Sequence, residues 1–96
     1  MAVDLSAISR RLDIPPDELM KKSVLSFVAH EMRQAEWEIS DIRERYGVSS
    51  RTELEDRIAA RVVYSHPALE DLIRWENLED YVYRLRAIEE ELKVAA

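Results

Sequence analysis

The sequence predicts an all-α protein: two long helices forming an antiparallel, coiled-coil-like hairpin, with a short N-terminal helix and a short connecting helix. Three observations carry that expectation. Glycine occurs once and proline three times in 96 residues, so little interrupts a chain rich in strong helix formers such as Ala, Leu, Glu and Arg. Apolar residues recur at alternating spacings of three and four along two extended stretches, the mark of a helix that buries one stripe. Helix stop and start signals separate those stretches.

The first helix is short, roughly residues 5–12, with Leu5, Ile8 and Leu12 on one face. Asp13 and Ile14 lead into Pro15 and Pro16, which end one helix and open the next, because proline has no N–H to give and suits a first turn. Asp17 and Glu18 follow, where the helix dipole favours negative charge. The second helix is predicted over 16–46, about 45 Å long at 1.5 Å per residue. Leu25, Val28, Met32, Ala35, Ile39, Ile42 and Tyr46 form its seam, a heptad line sustained for three repeats.

The stretch RERYGVSSRTELEDRI, residues 43–58, holds the single glycine. Gly47 adopts positive φ without steric cost, as the residue after a helix end requires. Val48 is placed to contact the last turn near Ile42. Ser50-x-x-Glu53 is a capping box for the third helix, predicted over 51–64 with Leu54, Ile58 and Val62 inward. Ser65-His66-Pro67 stops it and starts the fourth, predicted over 67–93. The apolar residues of that helix are Leu69, Leu72, Trp75 and Leu78, then Tyr81, Val82, Leu85, Ile88 and Leu92. This stripe is wider than a strict seam, so the helix is expected to touch more than one neighbour.

Residues 1–96 thus form a single domain in which residues 1–24 are an N-terminal helical hairpin region. The expected core and oligomer seam is Leu25, Val28, Met32, Ile39, Ile42, Leu78, Leu85 and Ile88. A hairpin this long has much surface for its volume, so a homo-oligomer, most economically a two-fold dimer, is expected.

Composition excludes several functions. Without cysteine there is no disulfide, zinc thiolate or thiol nucleophile. Neither His-Glu-x-x-His nor Glu-x-x-His occurs, so His30 and His66 are read as surface or capping residues, and no metal is expected. No phosphate loop or nucleophile–base pair appears, so neither a catalytic residue nor a cofactor is assigned, and the chain is expected not to be an enzyme. No apolar run reaches the length of a membrane span and no leader is apparent, which suggests a cytoplasmic protein.

The formal net charge is −6, with seven basic and nine acidic residues in 1–48 against seven and eleven in 49–96. Nucleic acid is therefore a disfavoured partner, and a small basic protein a better one. Even so, the first 24 residues offer a helix-turn-helix-like segment in which Arg10, Arg11, Lys21 and Lys22 could meet DNA. Four acidic side chains balance those four basic ones. Aromatic residues are the other candidates. Trp37 falls opposite the seam, among Arg33, Gln34, Ser40 and Asp41, and Tyr83 lies off the Leu78–Leu85–Leu92 line. Each requires a cover, either from this chain or its oligomer, or from a different protein.

The order of these segments resembles a family of small helical, antitoxin-like proteins of archaea and bacteria, encoded beside small toxins. RLDIPPDEL leads into the long helix ending YGVSS, then TELEDRI, then HPALEDLIRWENLEDYVYRL. The resemblance covers about residues 8–92, with Tyr46, Gly47 and Val48 at the hinge and Leu72, Trp75, Glu76, Leu78 and Glu79 on the last helix. It implies a non-enzymatic protein that neutralises a small toxin, a nuclease for example, through helical contacts. Trp37, Trp75, Tyr81 and Tyr83 are the expected partner-binding anchors, with Glu76, Glu79 and Asp80 supplying complementary charge. The alternatives are a small DNA-binding regulator using the N-terminal segment, and a structural oligomerisation module.

Overall fold

The computed structural model describes residues 2–94, folded as four helices: α1 (Leu5–Leu12), α2 (Pro16–Tyr46), α3 (Arg51–Ala59) and α4 (Ser65–Val94). In α4, His66 is extended (φ −117°, ψ 123°), so the regular helix begins at Pro67. α2 and α4 pack antiparallel as the expected all-α hairpin, α3 lies against α4, and α1 contacts α2. The molecule measures 60 × 31 × 18 Å.

Local chemistry accounts for each boundary. The Asp4 carboxylate accepts a hydrogen bond from the Ala7 N–H at 3.1 Å and caps α1. Pro16 opens α2, followed by Asp17 and Glu18. Ser50 Oγ accepts from the Glu53 N–H at 3.1 Å. Glu53 reaches back one residue further than the usual box, accepting from the Ser49 N–H at 2.8 Å. The first bond satisfies one of the N–H groups that a helix start leaves without a partner, and the second fixes the chain just before the cap.

α1, α2 and α3 all end in the same way. Gly47 is left-handed (φ 61°); its N–H donates to Glu44 O, and the Val48 N–H donates to Arg43 O. This is the Schellman pattern. Asp13 (φ 57°) repeats it, with Ile14 donating to Ser9 O, and so does Arg61 (φ 59°), with Val62 donating to Arg57 O. The third case corrects the predicted helix 51–64. An unannounced left-handed arginine ends α3 at Ala59, and Val62, expected inward, is exposed.

The core is concentrated at the closed end of the hairpin. Ala35, Ile39 and Ile42 of α2, Leu54 of α3, and Leu72, Trp75 and Leu78 of α4 form one cluster with Val48. Three helices meet here, so a side chain can be enclosed all round. Toward the open end α3 is absent and α1 contacts α2, with Val28 and Leu85 buried in the hairpin. The expected seam is therefore built in part. Val28, Ile39, Ile42, Leu78 and Leu85 are buried, Leu25 and Met32 are half-buried, and Ile88 is exposed. Ile88 lies two turns beyond Tyr81 on the side of α4 rather than on the Leu78–Leu85 line.

Candidate protein-binding surface

Of the four aromatic residues expected to grip a partner, the fold itself uses two. Trp75 is 1% exposed, walled by α2 and α3, and the Arg43 guanidinium lies 5.8 Å from its ring centroid. This corrects its assignment as a contact residue: Trp75 shares the apolar stripe of α4 with Leu72 and Leu78, and α3 closes over that stripe. Tyr81 is half-buried, and its hydroxyl donates to Glu31 Oε1 of α2 at 2.7 Å. That bond pushes the phenol pKa up, since the carboxylate favours the protonated form. The Arg84 guanidinium lies 5.5 Å from its ring centroid.

The expected acidic cluster is also engaged. Arg51 at the start of α3 donates through Nε to Glu79 at 2.7 Å and through Nη1 to Glu76 at 3.2 Å. These bonds raise the arginine pKa and tie α3 to α4. Asp80 stands at a looser 3.8 Å from Arg84. A second polar cluster closes the hairpin: Asp71 of α4 accepts from the Tyr46 hydroxyl and from Arg45 Nη1. Burial, then the Asp71 hydrogen bond, pushes the Tyr46 phenol up to about 12.

Trp37 and Tyr83 remain. They are 69% and 76% exposed, so neither α3 nor any other described residue covers them. Trp37 projects from the outer face of α2. Tyr83 stands on the rim of an open cleft between α2 and α4, beside Arg43, Arg86, Glu36 and Glu79. The two aromatics therefore occupy separate positions on the hairpin.

The four N-terminal cations are divided between α1 and α2. Arg10 and Arg11 lie in the last turn of α1, Lys21 is half-buried, and Lys22 pairs with Glu18 at 2.8 Å. His66 Nδ1 lies 3.2 Å from Glu70, and His30 is exposed on α2. Among the described residues, no group of three or more His, Asp or Glu is placed to hold a metal ion, and no helix is long and apolar enough to cross a membrane.

A family model matches this chain over residues 1–96. The chain belongs to the uncharacterized protein MJ0235 family. That membership is of an uncharacterized family and carries no antitoxin description. No curated protein and no solved structure matches the chain.

One group of residues escaped the sequence reading. Met20, Val24 and Phe27 of α2 are exposed apolar residues on a line of their own. Their spacing of four and three was legible beside the Leu25–Val28–Met32 seam.

Proposed function

We propose that this MJ0235-family protein is a non-enzymatic binding module that grips a small basic partner protein through exposed aromatic side chains. A toxin neutralised by this chain is the form of that partner which the sequence resemblance suggests. The observation that carries the proposal is the exposure of Trp37 and Tyr83. Large aromatic residues dominate the energetics of protein interfaces, and whereas Trp75, Tyr46 and Tyr81 are engaged inside the fold, these two stand in the open. The net charge of −6 favours a basic partner and speeds its encounter. Since Arg51 engages Glu76 and Glu79, the charge contribution comes from the acidic surface as a whole.

The test is co-expression with the product of the adjacent gene, followed by affinity capture at low and moderate salt. Capture of that product, weakened at least tenfold by Trp37→Ala or Tyr83→Ala with helix content unchanged, is the expected result. Absence of a complex at low salt, or equal binding by both variants, removes the proposal.

A further inference from the structure

The open end of the hairpin carries an apolar face built from both long helices. The Tyr81–Glu31 hydrogen bond fixes which side of each helix adjoins the other. Counting from Glu31 by four and seven residues toward the N-terminus reaches Phe27 and Val24, and a further four reaches Met20. Counting seven and eleven residues beyond Tyr81 reaches Ile88 and Leu92. Residues so spaced share a helix face, so all five lie on one side of the hairpin. The antiparallel register set by this bond and by Arg74–Glu38 puts Ile88 beside Val24 and Leu92 beside Met20. Phe27 is 59% and Ile88 41% exposed, Met20 and Val24 are exposed, and Leu92 is half-buried. On α1, Ile8 and Leu12 are exposed as well.

We propose that two copies of this chain pair through the open end, each covering the other's Met20–Val24–Phe27–Ile88–Leu92 face. The surface area supports a second copy as the occupant. The chain exposes 7334 Å², whereas a compact protein of 11.3 kDa exposes about 5,700 Å². The excess, roughly 1,600 Å², exceeds the ~800 Å² that each partner buries in a standard interface. The radius of gyration agrees: 19.1 Å against about 12.5 Å for a compact domain of this length.

Chemistry points the same way. The face is aliphatic with one phenylalanine, the composition of a homodimer core rather than of a transient contact with a different protein. No carboxylate interrupts the line from Met20 to Phe27, so the α2 half of the face sets no like charges against each other when two chains of charge −6 meet.

This pairing is independent of the partner-protein proposal, because Trp37 and Tyr83 lie outside the face. Light scattering coupled to size exclusion at about 100 µM chain is expected to give twice the mass of one chain. Phe27→Glu is expected to halve that mass with unchanged helix content, while Trp37→Glu leaves it paired. The chain has no cysteine, so a pyrene can be attached at Ser23→Cys beside the face, or at Ser49→Cys at the far end. Excimer emission is expected from the first label and not the second. A single-chain mass for the unaltered protein overturns the proposal, and so does excimer emission from Ser49→Cys alone. Should Phe27→Glu fail to fold, the two labelled variants still decide.

Discussion

What holds α3 in place can be decided by two substitutions of very different expected size. A helix of nine residues does not persist alone in water, so its docking on α4 maintains it. Leu54 is 0% exposed and belongs to the central cluster. Arg51 makes two ion pairs to α4, but its side chain is 36% exposed and those of Glu76 and Glu79 about half exposed. Leu54→Ala removes three carbons from an enclosed site and leaves a cavity, at a cost of about 3 kcal/mol. Arg51→Ala removes solvent-screened pairs, at a cost below about 1 kcal/mol. The stability of a 96-residue domain is about 5–14 kcal/mol, so the first change is severe and the second slight. Urea unfolding followed by far-UV circular dichroism measures both. Amide exchange across 51–59 then shows whether α3 opens locally or with the whole chain. If Arg51→Ala costs as much as Leu54→Ala, ion pairing rather than apolar enclosure seats α3, and the account of the closed end is wrong.

Other outcomes follow from single sites. Gly47 is left-handed, and nothing lies within 4 Å of where a Cβ would stand; Gly47→Ala is therefore expected to cost about 1 kcal/mol through backbone strain alone, with Gly47→Asn milder, read from denaturation midpoints. The Tyr46 phenol is raised in the folded chain to about 12, above its ordinary value of about 10 in the unfolded chain. The folded state thus holds a proton that the unfolded state has lost, and the stability this contributes is complete below pH 10 and disappears as pH climbs toward 12. The difference in unfolding free energy between the protein and Tyr46→Phe should shrink over that window; a constant difference refutes the burial of this hydroxyl beside Asp71. Acrylamide quenching should separate an accessible from a shielded tryptophan, and Trp37→Phe should abolish the accessible component.

Helix order and most helix ends were legible in the sequence because their causes are local. Asp4 and Ser50 cap starts, Pro16 opens a helix, and Gly47 closes one, each through atoms within a few residues. The buried seam from Val28 to Ile42 was legible for a related reason: a repeat of three and four places side chains on one face whatever lies opposite. The end of α3 was not, since an arginine takes the left-handed position usually marked by glycine or asparagine.

Angular position on a helix says which residues share a face, whereas enclosure depends on how many other helices reach that face. Trp75 and Ile88 both belong to the apolar pattern of α4. Trp75 is sealed because α3 crosses over its end of the hairpin, and Ile88 is left open because α3 does not extend to the other end. The one-dimensional pattern determined a helical hairpin with its hinge at Gly47 and an aromatic residue outside each rod. Only the packing of α3 at one end decided which large side chains became core and which apolar face met water, because burial is a property of neighbours brought together from distant parts of the chain.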